Sequence, residues 1–101
     1  MPNIELSPRA DEDIRGIWLY SAETWSIDRA NTYVDALSHA IQTLAQRPER
    51  GRRTENISDG LRRLNHASHA IFYRVIDDNV RIVRVLHASM DFAAHFANDE
   101  T

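Results

Sequence analysis

The chain contains no cysteine. That removes disulfides, thiolate nucleophiles and thiolate metal ligands, and it suits a reducing compartment. Lysine is missing too: all 12 basic residues are arginine. With no amine there is no Schiff base and no lysine general base. A GC-rich genome's codon bias is the plainer reason for an arginine-only set, ahead of a functional one. No apolar run approaches the length of a membrane span, and no signal peptide opens the chain. A cytoplasmic protein without a membrane partner is the expectation. Glycine-rich phosphate loops, a Ser-His-Asp order and paired carboxylates in usable context are likewise lacking.

What is present suits one small domain. The 101 residues are 43% hydrophobic and 27% charged, ordinary for a globular protein. A chain of this size buries roughly two-thirds of its unfolded surface. The formal net charge of −3 argues against tight, non-specific nucleic-acid binding. Residues 1–97 are expected to form the domain, and residues 98–101 a frayed tail.

The organising stretch is His69–Asp91, HAIFYRVIDDNVRIVRVLHASMD. β-Branched and aromatic residues crowd two arms around Asp77-Asp78-Asn79, which is strand composition around a turn. Asp and Asn tolerate the positive φ of a tight hairpin. A two-residue loop at Asp78-Asn79 pairs Val75 with Ile82, Tyr73 with Arg84 and Ile71 with Leu86. It leaves Ile71, Val75, Ile82 and Leu86 on the better core face. The second face carries Phe72, Val83 and Val85 among arginines. A hairpin apolar on both sides needs a second cover, from its own chain or a partner.

Upstream, Ile4 and Leu6 alternate in a short strand over Asn3–Ser7. Ser7-Pro8 starts a helix, with Ser as N-cap and Pro in the first turn. Asp11, Glu12 and Asp13 follow where the helix dipole favours acids. Ala10, Ile14, Ile17, Trp18, Ser21 and Trp25 keep helical spacing to about Thr24. Ser26 caps a second helix carrying Ala30, Tyr33, Val34, Leu37, Ile41 and Leu44, which Pro48 ends. The short junction folds the two into a helical hairpin. Arg47–Asn56 is a charged loop, and Leu61–Asn65 a third strand. Asp91 can cap one turn over FAAHF. The order is strand, helix, helix, strand, strand, strand: an α+β domain with a helical hairpin on a small, mainly antiparallel sheet.

Candidate sites are few. His87, Asp91 and His95 have ligand-like spacing, but a strand running into a helix breaks it, and no metal site is expected. His66 and His69 read as surface or hydrogen-bonded histidines. Trp18 and Trp25 share a helix face; core packing is the first reading, and a partner groove with Tyr20 the second. Arg47, Arg50, Arg52, Arg53, Arg62 and Arg63 suit either a solvated loop or a contact to phosphate or acidic protein.

Taken together, IELSP at Ile4–Pro8, the acidic start with Ile17-Trp18, Pro48 with Gly51-Arg52, Gly60–Arg63 (GLRR), AIFYRV at Ala70–Val75 and VRVLHASMD at Val83–Asp91 resemble the ParE toxins of the RelE/ParE superfamily. Each motif alone is weak; six in one order over nearly the whole chain are specific. Ala88 and Phe92 depart from it, standing where Gly and Pro are common.

The resemblance implies a toxin of a type II toxin–antitoxin module that uses no cofactor. It implies DNA gyrase as target and a ParD-like antitoxin as partner in a hetero-oligomer, with a heterotetramer one arrangement. DNA is contacted only through the antitoxin. The other branch cuts mRNA on the ribosome, and modules that have lost toxicity form a third class. Overlay on the RNA-cutting branch puts Leu61 and Arg63 where it holds two lysines. Ala70 and Met90 stand at two of its arginines, and Phe96 at its C-terminal tyrosine. Losing several such groups leaves little catalysis, so no catalytic residue is expected. The expected antitoxin contacts are Trp18, Tyr20, Trp25, Phe72, Val83 and Val85. The expected target contacts are Arg84, His87, Met90, Asp91 and Phe92.

Overall fold

A computed structural model describes residues 3–97; the tail expected at residues 98–101 lies outside them. Strand β1 (Ile4–Leu6) leads into helix α1 (Pro8–Thr24) and helix α2 (Ile27–Gln46). A single 3-10 turn at Pro48–Arg50 precedes β2 (Arg52–Arg53), β3 (Arg62–His66), β4 (His69–Ile76), β5 (Asn79–His87) and α3 (Phe92–Ala97).

Local chemistry accounts for the boundaries. Ser7 Oγ accepts the Ala10 N–H at 3.0 Å and donates to the Val83 carbonyl at 2.7 Å. One buried hydroxyl therefore caps α1 and ties its start to the sheet. Ser26 Oγ accepts the Arg29 N–H at 3.1 Å and caps α2. Asp91 Oδ1 accepts the Ala94 N–H at 3.2 Å and starts α3.

The five strands run in the order β1-β5-β4-β3-β2. β1 lies parallel to β5, pairing Ile4 with Val80 and Leu6 with Ile82, and every other pair is antiparallel. This docks the first strand beside the last. The helical hairpin covers one face: Ala10, Leu37, Ile41 and Leu44 pack on Ile71, Tyr73, Val80, Ile82 and Val85.

The hairpin departs from expectation in two ways. Its turn is Asp77-Asp78, with φ of 50° and 69°, so Val75 pairs with Val80 and Tyr73 with Ile82. Two adjacent Asp residues meet the positive-φ demand that was assigned to Asp78-Asn79. A register slip of two leaves the faces unchanged. A bulge between Phe72 and Tyr73 then makes Val83 the extra residue, pairing Ile71 with Val85 and Ala70 with Leu86. Val85 therefore joins the helix-side core, and Leu86 is buried on the opposite side. Val75 is 41% exposed and lies outside both clusters.

The second face is closed by the chain itself. Leu61, Ala70, Phe72, Val83, Leu86 and Phe96 form a second buried cluster, with Ile57 and Phe92 packed on it. Phe96 and Phe92 of α3 meet the Phe72 ring edge-on, at centroid separations of 5.0 and 4.9 Å.

The arginine-rich loop is bound down rather than free. Tyr73 Oη donates to the Pro48 carbonyl and accepts the Gly51 N–H, both at 2.7 Å. A Cβ at Gly51 would lie 2.5 Å from that oxygen, so glycine is required there. Arg62 donates to the Gly51 carbonyl at 2.6 Å, and Arg50 to Thr43 Oγ1 at 2.7 Å. Among the described residues, no helix is long and apolar enough to cross a membrane.

Candidate functional site

A groove of about 710 Å³ runs between α1, the start of α2 and the end of β5. Tyr20, Trp25, Arg29 and Tyr33 line it from the helices; Arg84, His87 and Met90 line it from β5 and the turn beyond. It thus joins residues read separately as antitoxin contacts (Tyr20, Trp25) and target contacts (Arg84, His87, Met90). Val85, buried in the helix-side core, also reaches it.

The helix aromatics are not core. Trp25 is 61% and Tyr20 67% exposed, which reverses the core reading of Trp25. The helical hairpin turns at Trp25 and leaves it no facing layer, and the Arg29 guanidinium lies 4.6 Å from its ring centroid. Trp18 is half-buried and donates from Nε1 to Asn31 Oδ1 at 2.8 Å. Phe72 and Val83 are fully buried, so the second sheet face does not stand open. A partner reaches it only by moving α3.

The groove wall is held by an ion pair. Asp13 Oδ2 accepts from Arg84 Nε at 2.8 Å and from the Val85 N–H at 2.9 Å, and Asp13 Oδ1 accepts from Arg84 Nη2 at 2.9 Å. The side chains are only 9% (Arg84) and 14% (Asp13) exposed. The hydrogen bond to Asp13 raises the Arg84 pKa above its ordinary value against the opposing effect of burial. Arg84 is therefore a structural cation of the wall. Among the other expected target contacts, His87, Met90 and Asp91 are exposed and Phe92 is half-buried against Phe72.

Histidines gather at one end of the groove, a grouping their sequence spacing did not reveal. Tyr33 Oη and His69 Nδ1 are 2.6 Å apart. The His69 and His87 rings meet edge-to-face at 5.3 Å, and His66 lies 5.9 Å from Tyr33. Burial holds the His69 imidazole below its ordinary pKa, and the charges of His87 and His66 push it the same way. The antiparallel pairing of His69 with His87 creates the cluster, so the signal was the hairpin register.

Of the positions matched to RNA-cutting groups, only Met90 lines the groove. Leu61, Ala70 and Phe96 belong to the second buried cluster. Arg63 Nε is buried without a hydrogen-bond partner, and its guanidinium lies 5.6 Å from the Phe92 ring centroid. Met90 is 44% exposed. Leu61, Ala70 and Phe96 thus pack into one apolar face with Arg63 at its margin.

Residues 4–92 match the family described as the ParE toxin of the type II toxin–antitoxin system parDE. Toxin ParE1 of Caulobacter vibrioides is 41% identical over 95 residues, covering 94% of this chain and 98% of that protein. Toxin ParE1 of Mycobacterium tuberculosis is 40% identical over 87 residues, covering 85% and 89%. In fold, the chain is similar to a structure of the chromosomal ParDE toxin–antitoxin system from P. aeruginosa. The TM-score is 0.77 at 18% identity, covering 88% of this chain and 98% of that one. The RelBE2 toxin–antitoxin complex from Mycobacterium tuberculosis gives 0.67 at 18% identity, covering 86% and 99%. The chain belongs to the ParE toxin family of type II toxin–antitoxin systems.

Proposed function

We propose that this chain inhibits DNA gyrase by stoichiometric, non-catalytic binding and is neutralised by a ParD-like antitoxin that occupies the groove. The observation that carries the non-catalytic reading is the sealed second face. Leu61, Ala70 and Phe96, buried together, stand where the RNA-cutting branch needs cations and a hydroxyl. Membership of the ParE branch supports gyrase as the target.

The groove supports the antitoxin reading. Exposed Trp25 and Tyr20 beside Met90 offer the large apolar anchors on which a short segment gains most of its affinity. His87 and Met90, expected target contacts, line the same groove. An antitoxin segment seated there covers them, and neutralisation follows by direct competition.

The test is expression in bacteria, alone and with the product of the short open reading frame beside it. Growth should stop with DNA replication halted while translation continues, and co-expression should restore it. Unimpaired growth of cells expressing the folded chain alone would contradict the proposal.

A further inference from the structure

We propose that Arg63, on the second sheet face, is a receptor for a partner's carboxylate. Its side-on fork, Nε–H with an Nη–H, takes an Asp or Glu side chain from the antitoxin segment as it leaves the groove. This rests on the groove being the antitoxin's seat, and it names a second, charged anchor for that partner.

The contrast that points to it lies within one two-residue ladder. β2 and β3 pair Arg53 with Arg62 and Arg52 with Arg63. Directly opposed residues share a face, and like charges so placed repel. The chain answers the first pair itself. Arg62 donates to the Gly51 carbonyl at 2.6 Å, and Arg53 Nη1 lies 3.9 Å from Glu55 Oε2. The second pair has no such answer. Among the described residues neither Arg52 nor Arg63 has an acidic partner, and Arg63 Nε is a buried donor with no acceptor. A donor left so costs stability until something accepts from it.

The chain's other enclosed guanidinium shows which acceptor fits. Arg84 presents Nε and Nη2 side-on to Asp13, at 2.8 and 2.9 Å. That planar, bidentate pairing matches a carboxylate. Arg63 has the same edge and lacks the acid.

Its surroundings leave room for one. Arg63 lines a hollow of about 290 Å³ with Asn65, Ala88 and Phe92, and no Asp or Glu lines it. Glu55 is taken by Arg53, and Asp91 by the Ala94 N–H at the start of α3. His69 lines both this hollow and the groove, so a segment leaving the groove past His69 reaches Arg63 next. Arg63 and Phe92 are both part-exposed. The guanidinium, 5.6 Å from the Phe92 ring centroid, can therefore turn off the ring to meet its acceptor while the sheet stays intact.

The free chain gives the first test. Arg63→Met removes an unanswered donor and a repulsion, so its melting temperature should equal or exceed the parent's. Arg84→Met strands Asp13 and should melt lower. A drop for Arg63→Met as large as that for Arg84→Met would make Arg63 an internal structural cation and overturn the proposal.

The complex with the product of the adjacent short open reading frame gives the second. Nitrogen-detected arginine spectra should show the Arg84 Nε–H downfield in the free chain, and the Arg63 Nε–H joining it only in the complex. Arg63→Gln should weaken the complex at least about tenfold. Arg63→Lys should recover only part of that, because an ammonium lacks the fork. In double-mutant cycles, one Asp or Glu of the antitoxin should lose its effect in the Arg63→Gln background. An unmoved Arg63 resonance, or no antitoxin acid coupled to Arg63, would overturn the carboxylate site. So would a free-chain Arg63 Nε–H that responds to inorganic phosphate more strongly than to acetate, which assigns the site to a phosphate.

Trp25→Asp separates this inference from the reading beneath it. If that variant weakens the complex and Arg63→Gln does not, the carboxylate site is wrong and the groove assignment stands. If Trp25→Asp leaves the complex intact while Arg63 couples to an antitoxin acid, the groove assignment falls and the carboxylate site stands.

Discussion

Asp13 and Arg84, 71 residues apart, form a nearly buried bidentate ion pair that ties the second turn of α1 to the bulged end of β5. The same carboxylate accepts the Val85 N–H, so removing it strands a buried guanidinium and an amide together. Asp13→Ala should lower stability by about 3–5 kcal/mol, the range for breaking a buried pair by deleting one partner. Denaturant unfolding checks it, and a loss below about 0.5 kcal/mol, the scale of a plain surface substitution, would contradict the structural role assigned to the pair.

The ring contact between Phe72 and Phe96 carries the closure of the second face. Phe96→Ala should cost about 3 kcal/mol, the low end of the range for a buried phenylalanine, because α3 is short and terminal. Amide exchange should then quicken in α3 and around Leu61. Unchanged protection at both places would mean that α3 does not seal that face.

How much of this was legible follows from how local each determinant is. Ser7-Pro8, Ser26 and Pro48 act within one helical turn, so both helices could be read to within a residue or two. The strand composition around Asp77-Asp78-Asn79 announced the hairpin, but three adjacent turn-formers fit more than one loop register. The bulge at Val83 had no local signature, and it alone moved Val85 under the helices and Leu86 away from them. Asp13 read as a helix-dipole acid because its partner lies on the far strand. Trp25 read as core because helical spacing places a residue on a face without saying where the facing layer ends. The histidine cluster needed the true pairing of His69 with His87.

Acid should weaken the fold through His69. Its folded pKa lies below the ordinary 6.5, chiefly through burial. Below that ordinary value the unfolded chain binds the proton more readily, so stability present at neutral pH is lost as the pH falls through 6.5. The melting temperature should therefore drop between about pH 7.5 and about pH 5.5, and His69→Gln should flatten part of that slope. An identical slope in the variant would remove His69 as its source.

The groove's apolar wall should dominate antitoxin affinity. Trp25→Asp should weaken the complex by about tenfold to a hundredfold, an effect of about 1.4–2.8 kcal/mol. It should leave stability nearly unchanged, because the ring is 61% exposed. Titration calorimetry beside thermal melts separates the two effects. A fall in stability matching the fall in affinity would return Trp25 to a packing role.

The most direct measurement pairs the purified chain with gyrase in a supercoiling assay and with translating ribosomes and mRNA. The account predicts loss of supercoiling in proportion to toxin added, saturating near one toxin per gyrase site, with mRNA left whole. Codon-specific mRNA cleavage with supercoiling untouched would contradict it.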